Sequence, residues 1–231
     1  MARYALTDIH GCVLTLKALV LDLLNLQKED ELYILGDLVN KGPDSKGVID
    51  FIMHLQKQHY QVFCLRGNHD QMLVTAAKAG DCAVKLSNTE KELTLSSFDI
   101  KDFRHLPDKY LHFLQDLPFY LELPDYFLVH AGFDFRQDDI FRDTDAMLNI
   151  RNYKPDRKKL SDKYLLHGHT PQPLHAIKKA ISHNDIRMNL DAGCAYYKNA
   201  PLGNLVALDL DSFELFIQNN LDRPYPVRRK S

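Results

Sequence analysis

The chain has 231 residues, 45% hydrophobic and 26% charged, a balance that excludes an intrinsically disordered polymer. Twenty-nine Lys and Arg face 31 Asp and Glu, for a net charge of -2, which sets aside a chain-wide basic surface for nucleic acid. No run approaches the roughly 20 apolar residues of a membrane span, and MARYALTDIHG reaches Asp8 and His10 before a signal-peptide core forms, so a cytoplasmic protein with no membrane partner is expected.

The opening ARYALT is short and β-prone and ends in a polar turn at Asp8-Ile9-His10-Gly11. VLTLKALVLDLLNLQ carries apolar residues at three- and four-residue intervals and predicts a helix with a wide buried face. ELYIL stops at Gly36-Asp37 and leads into the turn-rich LVNKGPDS. Helix-like KGVIDFIMHLQKQ follows, then β-prone YQVFCL, ending at Arg66-Gly67-Asn68-His69-Asp70. This threefold alternation predicts βαβ units, a largely parallel sheet and helices on its faces. From about residue 80 to 117 the rhythm fails, and one or two helices inserted over the sheet are expected. Strands resume at FYLEL, YFLVH, KYLLHGH, IRMNLDAG and GNLVALDLD, the last paired with FELFIQ as a hairpin across Asp211-Ser212. The tail DRPYPVRRKS, residues 222–231, reads as a basic solvated end. With no repeat and no linker, residues 1–231 form one domain on this reading.

Four scattered cysteines meet no zinc-finger spacing and read as free thiols. The polar residues at the strand ends are more telling. Asp8 and His10, Asp37, Asn68 and His69, His130, and His167 with His169 all lie at or just past the C-terminal end of a β-prone run. In open α/β sheets that edge is where ligands bind. Carboxylate, imidazole and amide donors without thiolate suit Mn²⁺, Fe or Zn²⁺. Six candidates (Asp8, His10, Asp37, Asn68, His130, His169) exceed the needs of one ion with an open position and suffice for two ions sharing a carboxylate. His54, His59, His105, His112, His175 and His183 have no such partners and read as solvated.

The strings DIHG (8–11), GDLVNKGPDS (36–45), LRGNHD (65–70), HAGF (130–133) and HGHTP (167–171) resemble, in order, the motifs of the calcineurin-like metallophosphoesterases. The resemblance is to the phosphoprotein phosphatase branch with its compact bacterial and bacteriophage Ser/Thr phosphatases. It implies an α/β fold: a four-layer α/β/β/α sandwich with mixed sheets. It implies two divalent ions, manganese first, with Asp8 and His10 on one, Asp37 bridging, and Asn68, His130 and His169 on the other. His69 would serve the leaving group, and Lys41 and Arg151 would bind phosphate oxygens. Pro171 stands where the phosphodiesterase and nuclease branches carry a further histidine ligand. Asn40-Lys41-Gly42 replaces the family's Asp-Arg-Gly, so Lys41 loses the two-pronged guanidinium geometry. Asn40, placed to accept a hydrogen bond from His69, cannot stabilise an imidazolium by charge. The function expected is hydrolysis of phosphate monoesters, with phosphoserine, phosphothreonine or phosphotyrosine in a phosphoprotein or phosphopeptide as substrate. The alternatives are a dinucleoside polyphosphate hydrolase and a metal-retaining phospho-ligand-binding protein of weakened chemistry.

Overall fold

The structure, a computed structural model, describes residues 1–223. Two sheets carry the fold. The first holds β1 (Arg3–Leu6), β2 (Glu31–Ile34), β3 (Gln61–Cys64), β8 (Asn204–Asp209) and β9 (Leu215–Asn219) in the order β3-β2-β1-β8-β9. Arg3 to Leu6 pair in parallel with Glu31 to Ile34, and these with Gln61 to Cys64, while β8 runs antiparallel to β1 with Leu6 opposite Ala207. The second has the order β4-β5-β6-β7, formed by Tyr120–Glu122, Tyr126–Val129, Tyr164–His167 and Arg187–Asn189, with only the β4 pairing antiparallel. Both sheets are therefore mixed, as the sandwich reading requires, and the expectation of a largely parallel sheet holds only for β3-β2-β1 and β5-β6-β7.

Alternation along each strand builds the layers. In β2, Leu32 and Ile34 join a core with the helices, while Tyr33 points to a second core between the sheets. In β5, Tyr126 and Leu128 face that inter-sheet core, and Phe127 and Val129 face a third, aromatic-rich cluster with Phe133, Met147 and Leu160. Strands apolar on both faces need cover on both sides. That cover comes from α1 (Val13–Lys17), α2 (Ser45–Lys57), α3 (Asn68–Ala79), α4 (Asn88–Ser97) and α5 (Asp108–Asp116) outside the first sheet, with α6 (Thr144–Asn149) outside the second. The remaining helix, α7 (Leu174–Ser182), places Ile177 in the inter-sheet core.

Three local findings refine the sequence reading. The first helix widens into π-helical turns over Ala18–Leu23, so its buried stripe is Val13, Thr15, Leu16, Leu19 and Val20, and Leu14, Leu21 and Leu23 face solvent. The segment from 80 to 117 does form helices, with a Ser87–Glu90 capping box opening α4. Asp222 corrects the picture of a solvated tail: it is buried, and its carboxylate accepts from Leu14 N, Thr15 N and Thr15 Oγ1 at 2.9, 3.0 and 2.6 Å. Residues 224–231 of that tail lie outside the described residues. Cys12, Cys64 and Cys194 are buried and Cys82 is exposed.

Candidate metal centre

Every strand-end motif converges on one edge of the sandwich because parallel strands within a sheet deliver their C-terminal loops to the same side. The chain must turn sharply there. Asp8, His10, Asp37, Asn40, Lys41 and His169 all adopt left-handed backbone, with φ of 55°, 50°, 54°, 67°, 63° and 72°. Asp, Asn and His visit that region more readily than other side-chain-bearing residues, and such strain concentrates at functional sites. Two glycines are required by close approach. A Cβ on Gly67 would run into Asp37 Oδ1, and one on Gly168 would run into Asp8 Oδ2.

Ligand atoms of Asp8, His10 and Asp37 lie within 4.8 Å of one another, all buried. His10 Nε2 is 3.7 Å from Asp8 Oδ1 and 3.4 Å from Asp37 Oδ2. On the other side of the same carboxylate, Asp37 Oδ1 lies 3.5 Å from His130 Nε2. Asn68 Oδ1 is 3.0 Å from both His130 Nε2 and His169 Nδ1. Asp37 thus turns one oxygen to each of two donor groups, and the six sequence candidates come together.

The ring orientations are fixed from behind. His10 Nδ1 lies 3.1 Å from Val39 O and His130 Nδ1 lies 3.0 Å from Leu35 O, so Nδ1–H donates and Nε2 keeps its lone pair for the site. Asp8 Oδ2 accepts from Thr7 Oγ1 at 2.6 Å and His169 N at 3.0 Å, and Asp37 Oδ1 accepts from His69 N at 2.9 Å. The donor set fits divalent cations, and it already draws one positive group: Lys41 Nζ donates to His10 Nε2 at 2.7 Å. Burial opposes the Lys41 ammonium, but Asp37, then Tyr196 and Asp8, hold its pKa above the ordinary value. Burial, reinforced by Lys41, pushes the His10 pKa well down. Asp8 is raised by burial and by the neighbouring Asp37 charge, whereas Asp37 is held low because the surrounding basic groups outweigh its own burial.

Asn40 behaves differently from the sequence expectation. Its Nδ2 donates to His69 O at 3.2 Å and lies 3.3 Å from His69 Nδ1, while its Oδ1 accepts from Thr94 Oγ1 at 2.9 Å. An amide oxygen turned toward His69 would face that carbonyl, so the NH₂ must point there. Asn40 is therefore the donor and not the acceptor. His69 Nδ1 must be unprotonated, and the neutral ring carries its proton on Nε2. Burial and then Lys41 also lower the His69 pKa, against the pull of Asp37.

Arg151 is exposed at the rim, its Nη1 donating to Thr170 Oγ1 at 3.1 Å, next to His169. His167 is buried beside the Tyr153 ring at 5.9 Å and makes no hydrogen bond to any of the six donors. The six remaining histidines are exposed. Arg66 donates to Gln71 Oε1 and Gln115 O and lies over the Phe119 ring.

Three residues went unread in the sequence. Asp70 accepts from Asp37 N, Leu38 N and Gly67 N at 2.9, 2.9 and 2.8 Å, tying two ligand loops together. Its signal was present in LRGNHD, at the third position of a helix whose N-cap is glycine. Thr94 comes from α4, where no motif marks it. Asp191 is buried beyond β7, its carboxyl raised well above the ordinary range by burial and by the charge of Asp8.

A loop-lined sheet edge with two groups of oxygen and nitrogen donors around one carboxylate is the frame of a metal-dependent phosphoesterase. The chain belongs to the calcineurin-like phosphoesterase family, whose sequence pattern matches residues 1–202. A symmetrical bis(5'-nucleosyl)-tetraphosphatase of Pseudomonas fluorescens (strain Pf0-1) is 33% identical over 132 residues, 57% of this chain and 42% of that protein. One from Vibrio vulnificus (strain CMCP6) is 30% identical over 162 residues, 67% of this chain and 55% of the relative. The chain thus spans about half the length of the curated relatives it matches. A solved protein serine/threonine phosphatase of Saccharomyces cerevisiae is 14% identical with a TM-score of 0.60, covering 100% of this chain and 81% of that one, and shares the fold.

Proposed function

We propose that the chain hydrolyses dinucleoside polyphosphates at two divalent ions. Asp8, His10 and Asp37 would hold one ion, and Asp37, Asn68, His130 and His169 the other. Their oxygen and nitrogen donors suit manganese, with iron or zinc as competitors. Bound ions of this kind make water acidic near neutral pH and neutralise phosphoryl charge. Water would add across a phosphoanhydride bond of the bridge. A symmetrical cut of a four-phosphate bridge leaves one nucleoside diphosphate on each side.

The protein's own groups complete the site. Lys41 and Arg151 would bind phosphoryl oxygens, and the His69 Nε2–H would donate to the leaving oxygen. The observation that carries the choice of substrate is the activity named in the sequence relatives, 33% and 30% identical to this chain over 132 and 162 residues. It moves the reading from phosphoprotein to dinucleotide. The direction of the Asn40 bond supports the same choice. A departing phosphate is weakly basic and is served by a neutral imidazole N–H, whereas a serine alkoxide demands a full proton.

Initial rates with Mn²⁺ on diadenosine tetraphosphate, p-nitrophenyl phosphate and a phosphoserine peptide test this. The dinucleotide should show the highest kcat/KM and yield ADP; a faster phosphopeptide would return the protein phosphatase reading. Metal analysis of Asp37→Asn should show loss of both ions, since the charge that joins the two donor groups is gone. Retention of two ions per chain would remove Asp37 from the bridging role.

A further inference from the structure

A cavity of about 700 Å³ lies between the segment after β5 and the segment after α6. That volume is within the roughly 300–1,000 Å³ range of small-molecule sites. The cavity's lining residues are chain neighbours of the metal centre. Asp134 and Phe135 in its lining follow closely on His130, and Ile150 and Asn152 flank Arg151, whose guanidinium reaches Thr170 beside His169.

Its wall is aromatic and fixed. Phe135 stacks on Tyr153 with ring centres 5.8 Å apart and planes 25° from parallel. Tyr153 is itself held, its hydroxyl donating to Ala131 O at 3.1 Å and Arg187 lying 4.9 Å over its ring. The charges are unequal. The Asp134 carboxylate is taken up by Arg136 at 2.8 Å and Asp156 accepts from Lys158 N at 2.9 Å, while exposed Lys154 and Arg157 form no ion pair among the described residues, so three cations face two carboxylates in the lining. A rigid ring beside an excess of positive charge suits a planar base joined to phosphate, because every base offers a face for stacking.

We propose that this cavity seats one nucleoside diphosphate half of the substrate, with the base against Phe135 and the distal phosphate toward Lys154 and Arg157. The proposal rests on the dinucleotide reading above. Its test compares the wild type with Phe135→Leu and, separately, Lys154→Gln, an exposed change that leaves the packing alone. The readout is the ratio of kcat/KM for diadenosine tetraphosphate to kcat/KM for p-nitrophenyl phosphate, which has no second half to place. In both variants the ratio should fall about tenfold, mainly through KM for the dinucleotide, as expected for a lost stack or a lost phosphate contact. A wild type that cleaves the dinucleotide, with the ratio unchanged in both variants, overturns the subsite alone. A wild type that leaves the dinucleotide intact overturns the dinucleotide reading and the subsite with it.

Discussion

Asn40 turns a hydrogen bond around. Its amide donates to the imidazole of His69, so the proton of that ring stands on Nε2 with no carboxylate bonded to Nδ1. Thr94 sets the amide's direction by donating to Oδ1, and the two residues act as one positioning unit. Nitrogen NMR of labelled His69 reads this directly. The wild type should show the neutral Nε2–H tautomer, and Asn40→Asp should add a proton on Nδ1 while Nε2 keeps its own, since a carboxylate only accepts and stabilises the imidazolium by charge. The same substitution should raise turnover of a phosphoserine peptide relative to p-nitrophenyl phosphate by about tenfold, within the span of general acid catalysis. An unchanged tautomer would remove Asn40 from control of His69. His167 supports a second prediction, on pH. Burial, then Arg187, pushes its pKa down to about 3 from 6.5. The unfolded chain takes up a proton near pH 6.5 and the folded chain resists until about pH 3, so this contribution is complete above 6.5 and is lost as pH falls toward 3. At about 1.4 kcal/mol per pH unit the effect reaches several kcal/mol. Urea unfolding of His167→Gln at pH 7 and pH 4.5 should show a shallower loss than the wild type; equal losses would exclude His167 as the acid-sensitive group.

At the level of elements, loops rather than strands hold the donors, and α3 organises the loops. Asp70 in its first turn accepts backbone N–H groups from the β2 and β3 loops at once. Asp70→Asn places an NH₂ against at least one of these donors and should cost about 3 kcal/mol, each bond to a charged group contributing roughly 1.5–3 kcal/mol. Chemical denaturation checks it, and a loss under 1 kcal/mol would show that the loops hold themselves. The same elements show what sequence can carry. The six donors were legible because each stands in a short motif at the end of a β-prone run, and both signals are local. Thr94 was not. It meets Asn40 across 54 residues of chain from a helix whose sequence shows only a capping box. The reversal of the Asn40 bond was likewise hidden, because it depends on where the His69 carbonyl lies. The cavity beside Arg151 is formed by two irregular segments whose spacing follows from packing, and no period reports it.

Across the whole molecule, the β8–β9 hairpin closes what the first three strands begin. Leu208 pairs with Ala5 and places its side chain in the inter-sheet core, and Asp222 fastens the start of α1. All six donors lie before residue 170, yet a chain ending at residue 203 leaves one edge of β1 unpaired. Such a truncation should lose cooperative unfolding and bind Mn²⁺ at least tenfold more weakly, read by calorimetry. Full affinity would show that the donor loops assemble without the hairpin. The pairing of β1 with β8 also sets a timetable for biosynthesis. At roughly 5–20 residues per second, about 10–40 s separate the synthesis of Leu6 from that of its partner Ala207. Through that interval β1 on the nascent chain offers an open backbone edge that any other extended segment can occupy. β1 is thus sealed long after it is made, and chaperone cover in a cell matters most at that strand until β8 is in place.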